Sequence, residues 1–527
     1  MTQIEIAQAA SPPHRACSQL NIRGLSDDTV SRFIHGLDEA PVLLSAEEAA
    51  AQLQDQFAVR LLNAGIFPNT AGEVLQALEQ IDAGGPLATQ RFFLVGEGSQ
   101  LSADVSNAQR NMRFLISCGP GPEGAEVVVS SFHPDQGMVE VMAWDHGTGG
   151  FNFYRTMPDS NAWIFAGNSH HALVTPTRGH GPFESHVNGN ILMKELKTPW
   201  VNWHSPFAQI PATSLASQGL DTHPWVNRLE PGGGYTLEDE TVRPGILRWS
   251  AARADAIAAG TSAETPARML EQLLSTLTVN LTSSQTTAVS AVGGSSAQVD
   301  LPSTFFVDAD MLGVVGLPAP PRLKVASSVY VQTLTDLAVE LGDGDLFVQP
   351  GDTHFAFVVP ERAFEDVATV REALRAGLLT PRLVASLVMV DFSNPVFSPT
   401  REALLAHLGA VAWNGSGPKF SEAVAQAIIT SAKAATPGTA EAAFAENWAV
   451  GEDFVAPFTS RLNAYYALVE QVIATPEGFA GVYGVAESRR NRVKDLPIFE
   501  SQLLFSNSNL PPAARLMTVT ASVEEIT

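Results

Sequence analysis

Six short segments decide the fold of this chain: RFFLVGEG (91–98), NMRFLISC (111–118), AEVVVSSF (125–132), GMVEVMAW (137–144), GFNFYRT (150–156) and NAWIFAGN (161–168). Each segment is rich in β-branched and aromatic residues, which favour strands. Glycine, proline, aspartate and asparagine separate the segments at the spacing typical of antiparallel hairpins. Residues 90–168 are therefore predicted to form an antiparallel β meander.

Helices are predicted before the meander. Ser45 is followed three positions later by Glu48, and Thr70 is followed in the same way by Glu73. This spacing is the capping-box pattern that begins a helix. Apolar residues at helical spacing follow both signals.

The second half of the chain combines a smaller β-rich patch with many helices. The patch is predicted in STFFVDAD (303–310) and LFVQPGDTHFAFVV (346–359). Helices are predicted over 361–376, 381–390, 399–409, 421–434 and 452–474. The fold class is therefore predicted to be α+β, with an antiparallel β meander in the N-terminal half flanked by helices and a helix-rich C-terminal half.

The same patterns predict five regions along the chain. These are a weakly ordered arm (1–25), a helical layer (26–89), a β-rich region with a loop segment rich in histidine and tryptophan (90–283), a loop or linker (284–300), and a mixed, then mainly helical region (301–527).

Charge and composition exclude several classes of partner. The chain has 527 residues and a formal charge of −24. Nucleic acid and anionic membranes bind basic surfaces, so neither partner is expected. No segment has the apolar length of a membrane span or of a signal peptide, and a cytoplasmic location is expected. The expected partner is a small-molecule substrate, and the charged fraction of only 16% is compatible with a homo-oligomer.

Familiar catalytic and nucleotide motifs give no support to their usual functions. GPGPEG (119–124) matches GxGxxG, but a strand and not a helix is predicted after it, so it lacks the context of a dinucleotide site. The sequence contains no GxxxxGK[ST], HExxH or GxSxG pattern. The two cysteines, Cys17 and Cys118, exclude a disulfide scaffold and a zinc ribbon.

Histidine and tryptophan are concentrated in one segment. Six of the twelve histidines and four of the eight tryptophans lie between residues 144 and 204. Even spacing would place one or two histidines there. The six are His146, His170, His171, His180, His186 and His204. Imidazole is a common ligand of iron, copper and zinc, so this density favours a metal or haem site.

Within the segment, His186 and His204 are predicted to be the first metal ligands. His180 is the next candidate, followed by one of His170 and His171. Because neighbouring residues on a strand point to opposite faces, at most one of that pair is expected to join a given site.

Four charged side chains of the segment are predicted to take part in the chemistry. Arg178 and Lys194 would hold a carboxylate or a haem propionate. Glu184 or Glu195 would orient a ligand or act as a general base.

Three functions and one structural interpretation follow from this segment. The first is a metal- or haem-dependent oxidoreductase or oxygenase that acts on a small apolar or aromatic molecule through the histidine cluster at 170–204. Its cofactor would be haem, iron or copper, and Trp200 and Trp203 are predicted to bind the cofactor. The second is a non-catalytic binding or assembly protein. The third is a metal-free hydrolase or isomerase that uses a His–carboxylate pair, such as His186 with Glu184 or Glu195. In the structural interpretation, the histidines only order a loop.

Three further features are weaker candidates. Asp145 and His146 lie at a predicted strand end before GTGG, where catalytic residues are often found. His354 lies in the second β-rich patch and is a candidate to complete the histidine cluster. The basic run AESRRNR (486–492) is predicted to be a solvated or salt-bridged helix face.

Overall fold

The computed structural model describes residues 25–96, 112–120, 124–157, 160–191, 215–216, 218–284, 297–343, 347–352, 356–496 and 506–526. Its strands are β1 Val30–Arg32, β2 Val42–Leu43, β3 Gln90–Gly96, β4 Met112–Cys118, β5 Val127–Ser131, β6 Val139–Asp145, β7 Gly150–Thr156, β8 Trp163–Asn168, β9 Val279–Thr282, β10 Gln298–Leu301, β11 Leu323–Ala326, β12 Glu340–Asp343, β13 Phe347–Pro350, β14 Val359–Arg362, β15 Ala514–Met517 and β16 Val523–Ile526.

Its helices are α1 Ala46–Gln52, α2 Gln56–Arg60, α3 Ala71–Ile81, α4 Gly234–Leu237, α5 Arg243–Ala258, α6 Pro266–Leu274, α7 Ser303–Phe306, α8 Ala309–Val314, α9 Ser327–Asp336, α10 Phe364–Arg375, α11 Pro381–Val388, α12 Pro399–Glu402, α13 Gly417–Ile429, α14 Ala440–Ala449, α15 Val455–Ile473 and α16 Pro476–Val493. Among the described residues, no helix combines the length and the apolar character needed to cross a membrane.

The meander predicted from the six segments forms one large sheet. Its eight strands lie in the order β2-β1-β8-β7-β6-β5-β4-β3. Strands β3 to β8 pair with their sequence neighbours in antiparallel fashion, and β1 joins β8 in parallel. The helices are concentrated in the C-terminal half. The predicted α+β class is confirmed.

Both faces of this sheet are covered. Successive side chains of a strand point to opposite faces, so Phe92 and Leu94 of β3 enter one apolar cluster and Phe93 and Val95 enter another. The first cluster packs against α1, α2 and α3, and the second packs against α5. Since both faces are buried, the strands are apolar along nearly their whole length and do not alternate with polar residues.

The local helix signals are confirmed. Ser45 forms a full capping box with Glu48 at the start of α1, and Thr70 accepts a hydrogen bond from the Glu73 amide at the start of α3. Of the predicted five regions, residues 1–24 and 285–296 lie outside the described residues, and the region boundaries stay a prediction.

The β-rich prediction for STFFVDAD is wrong. The short helix α7 and then α8 occupy these residues. Asp308 accepts a hydrogen bond from the Met311 amide and thereby caps α8. Phe305 and Phe306 are fully buried among the C-terminal helices. Capping and tertiary burial therefore outweigh the β propensity of the aromatic pair.

The prediction of a solvated face for AESRRNR is also wrong. Arg489 and Arg490 of α16 are each 1% exposed. Arg489 donates to the Ser393 carbonyl (3.1 Å), and Arg490 donates to the Val358 carbonyl (2.9 Å). Main-chain carbonyls thus satisfy these guanidinium groups, which a sequence pattern does not reveal.

The buried arginines converge on the loop between α11 and α12. Arg401 donates to the carbonyls of Asn394 (2.8 Å) and Pro395 (2.9 Å), and Arg489 donates to the Asn394 side-chain oxygen (3.0 Å). Burial lowers the pKa of Arg401 and of Arg489 to about 10, so both remain charged at neutral pH.

Asn394 also anchors the C-terminal hairpin of β15 and β16. Its side-chain amide donates to the Met517 carbonyl (2.8 Å), and its oxygen accepts from the Met517 amide (3.0 Å). Asn394 is fully buried. One side chain therefore joins the inter-helix loop, α16 and the last two strands.

We expect Asn394→Ala to lower the free energy of unfolding by roughly 3 kcal/mol or more, because it leaves several buried donors and acceptors without partners. Urea denaturation followed by circular dichroism measures this change. Asn414→Ala is the control, because that exposed side chain accepts only one hydrogen bond, from the Ser416 amide. Equal effects of the two substitutions would contradict the anchoring role of Asn394.

Candidate functional site

The two neighbouring histidines of the predicted cluster contact different groups. The His170 ring donates through Nε2 to the Thr148 carbonyl (2.9 Å) and packs edge-on against Trp249. The Nδ1 atom of His171 accepts the Asn168 amide (3.1 Å). These residues lie in a turn after β8 and not on a strand, and their rings serve separate contacts.

His180 and His186 also lie in separate surroundings. His180 stacks on His35, with ring centroids 5.2 Å apart. His186 is buried, donates through Nδ1 to the Asn190 carbonyl (2.9 Å) and packs against Phe153. Among the described residues, no three histidine, cysteine, aspartate or glutamate side chains are placed to hold a metal ion together.

The charged candidates of the segment have structural neighbours. Arg178 lies 3.9 Å from Glu271 of α6, and burial lowers its pKa, as does the charge of Arg268. Glu184 ends the short 3₁₀ turn Gly181–Glu184. Six further candidates lie outside the described residues: Lys194, Glu195, Trp200, Trp203, His204 and His354.

A His–carboxylate pair does form at one end of the large sheet. Glu126 directly precedes β5. Its amide donates a hydrogen bond to the Cys118 carbonyl of β4, and its carbonyl accepts one from the Trp144 amide of β6. His146 directly follows β6, and its Nε2 lies 2.9 Å from Glu126 Oε2. The Glu126 side chain is 12% exposed, whereas the His146 side chain is 65% exposed. A largely buried carboxylate therefore holds an accessible imidazole.

Helix α5 contributes a cation to this pair. Arg248 Nη2 donates to the second oxygen of Glu126, Oε1, at 2.9 Å. The guanidinium group of Arg248 also stacks over the Trp144 ring, 4.2 Å from its centroid. Both oxygens of Glu126 are thus engaged, which fixes the orientation of the carboxylate.

The turn that carries His146 is shaped by its neighbours. Asp145 Oδ1 accepts the amides of Gly147 (2.7 Å) and Thr148 (3.3 Å), so the chain reverses between β6 and β7. His170 then holds the Thr148 carbonyl from the opposite side. None of these hydrogen bonds involves the His146 ring, which leaves that ring available for chemistry.

Helix α2 faces the pair and is held by a buried carboxylate. Asp55 caps α2 by accepting the Ala58 amide (2.9 Å), and it also accepts hydrogen bonds from Asn152 (2.8 Å) and Tyr154 of β7. Burial raises the pKa of Asp55, against the opposing effect of these hydrogen bonds. The contacts of Asp55 fix α2, and with it Arg60, relative to the sheet.

A cavity of about 290 Å³, which is partly open to solvent, lies between these elements. Its polar lining consists of Gln56, Arg60, Asp82, Glu126 and His146. Its apolar lining consists of Pro86, Leu87 and Pro120. The cavity therefore presents a histidine, a guanidinium group and an apolar wall to one small volume.

Sequence reasoning found only part of this site. His146 was a candidate because of its position at a strand end, but Glu126, Arg248 and Arg60 carry no local motif. Glu126 and Arg248 are 122 residues apart in the sequence. Only the pairing of β4, β5 and β6 brings the carboxylate to the histidine.

Comparisons with protein-family models, with curated proteins and with solved structures found no match to this chain.

We expect the free energy of unfolding to fall as the pH drops below about 6.5, the usual pKa of histidine. Burial, followed by the charge of His170, lowers the pKa of His171 in the folded protein. The unfolded chain therefore takes up the proton first, and stability is lost until the pH reaches the folded pKa. Urea denaturation at a series of pH values measures how steeply the free energy of unfolding changes with pH.

His171→Asn is the matched variant, because an asparagine oxygen at this position keeps an acceptor for the Asn168 amide but does not titrate. This variant should show a shallower loss of stability below about pH 6.5. A slope identical to that of the wild type would contradict the assignment to His171.

Proposed function

We propose that the protein is a metal-independent hydrolase of a small ester, with His146 as its general base and Glu126 as the residue that orients it. The single observation behind the proposal is the accessible His146 ring held through Nε2 by Glu126 at the wall of the cavity. A His–carboxylate pair that borders a cavity is a common arrangement in general acid–base catalysis.

The hydrogen bond to Glu126 selects one tautomer of the ring. A carboxylate accepts a proton donor, so Nε2 carries the hydrogen and Nδ1 holds the lone pair. Arg248 Nη2 also lies 3.4 Å from Nε2, but a guanidinium group only donates, so this contact is not a hydrogen bond when Nε2 carries the proton. The shorter contact, at 2.9 Å from Glu126, determines the tautomer. Nδ1 therefore is the nitrogen that takes a proton from a substrate or from water.

The proposed reaction adds one water to the ester. Nδ1 accepts a proton from water while the water oxygen forms a bond to the acyl carbon. The imidazolium ion then returns the proton to the leaving oxygen as the ester bond breaks, which gives an acid and an alcohol. Glu126 stabilises the imidazolium ion, as the buried carboxylate does in a catalytic triad.

The metal- or haem-dependent oxidoreductase stays a prediction from the sequence. Its first two predicted ligands are His186 and His204, and His204 lies outside the described part of the chain. His170, His171 and His186 each form a hydrogen bond with a main-chain group, which favours an ordering role for these rings. The assembly hypothesis gains no specific support.

We expect His146→Gln to reduce ester hydrolysis by about 100-fold or more, because glutamine can reach Glu126 but cannot accept the proton. Glu126→Gln should reduce the rate roughly 10- to 100-fold through loss of the ring orientation. The release of p-nitrophenol from small p-nitrophenyl esters measures both rates.

His133→Gln is the control, because this histidine lies in the turn between β5 and β6 and is not part of the cavity lining. A chelator should leave the wild-type rate unchanged. Loss of activity on chelation, or full activity of His146→Gln, would overturn the proposal.

A further inference from the structure

Arg60 lines the cavity, and the donors on its two terminal nitrogens are available for a ligand. Its side chain is 42% exposed, and its closest acidic neighbour is Asp82, at 3.6 Å from Nη2. Its Nε atom donates weakly to Gln56 of the same helix (3.4 Å). No described residue accepts a hydrogen bond from its two terminal nitrogens. A guanidinium group in this state can bind an oxyanion through two parallel hydrogen bonds.

Asp82 forms an ion pair with Arg60, but its Oδ1 atom, at 3.6 Å from Nη2, is farther away than a hydrogen bond allows. Its Oδ2 atom accepts the Leu87 amide (2.8 Å) and so shapes the turn that forms the apolar wall. Its carboxylate is 12% exposed. Asp82 therefore positions the wall and keeps the guanidinium group nearby, while the donors of Arg60 remain available.

The charges around the cavity limit the charge of the ligand. Arg60 and Asp82 balance each other, and so do Arg248 and Glu126. The carboxylates of Asp82 and Glu126 would repel a dianion more strongly than a monoanion. A monoanion can form hydrogen bonds with the guanidinium group of Arg60. The net charge of the whole chain, −24, likewise repels a dianion more strongly than a monoanion.

Size and lining limit the rest of the ligand. A volume of about 290 Å³ is at the lower end of the range for small-molecule sites. Pro86, Leu87 and Pro120 offer apolar contact but no side-chain hydrogen bond. The remaining part of the ligand is therefore short and apolar.

We propose that the cavity binds a small organic monocarboxylate, with its carboxylate on Arg60 and its apolar part against Pro86, Leu87 and Pro120. The proposal rests on the proposed function only in placing this ligand beside His146, so that the substrate would be an ester that carries a free carboxylate. Arg60 then determines specificity and takes no part in the proton transfer.

Isothermal titration calorimetry tests the ligand class without requiring turnover. The probes are butyrate, benzoate, inorganic phosphate and butyramide, which is the neutral counterpart of butyrate. We expect butyrate and benzoate to bind the wild type, and butyramide and phosphate to bind at least about 10-fold more weakly. Arg60→Gln should weaken carboxylate binding by about 10-fold or more, on the same grounds.

Two variants separate this proposal from the proposed hydrolase. Arg322→Gln removes an exposed arginine of the C-terminal half and should not change binding. His146→Gln should keep carboxylate binding within about 3-fold, since a charged hydrogen bond to Arg60 is retained. If His146→Gln kept both carboxylate binding and the full rate of ester hydrolysis, the hydrolase proposal would be refuted and the ligand proposal would stand.

Three results would overturn the ligand class. These are no detectable binding of either carboxylate to the wild type, equal binding of butyrate and butyramide, and carboxylate binding that Arg60→Gln leaves unchanged. Phosphate binding that is tighter than butyrate binding and depends on Arg60 would replace the monocarboxylate with a phosphate.

Discussion

The covering of both faces of the eight-stranded sheet is the constraint on which the site depends. Helices α1, α2 and α3 bury one face, and α5 buries the other. Charged side chains are costly in such an interior, so they can reach solvent only where strands end. Glu126 lies at the start of β5 and His146 at the end of β6, so both lie at the same end of the sheet. The pairing of Glu126 with His146 is therefore a consequence of the strand pairing.

Local features of the fold were predictable from the sequence, whereas the site was not. The caps at Ser45 and Thr70 and the six strand segments are short-range signals, because each depends on residues a few positions apart. The carboxylate and the imidazole of the site are 20 residues apart, and Arg248 is more than 100 residues from either. Such partners can be recognised only after the strand register is known.

The dense histidines illustrate a second limit of sequence reasoning. Histidine density indicates metal binding, but the same ring can order a loop by bonding to main-chain groups. The described rings of His170, His171 and His186 have such bonds. A loop without a strand ladder must satisfy its backbone polar groups in other ways. Side-chain geometry, and not composition, distinguishes these two roles.

The tautomer of His146 is the most direct test of the account, because the Glu126 hydrogen bond determines it. Long-range ¹H–¹⁵N correlation spectra of histidine-labelled protein distinguish protonated from unprotonated ring nitrogens, and His146→Gln identifies the signal. We predict a proton on Nε2 and an unprotonated Nδ1 in the neutral ring, with loss of this preference in Glu126→Gln. A proton on Nδ1 in the wild type would contradict the assignment of His146 as the general base.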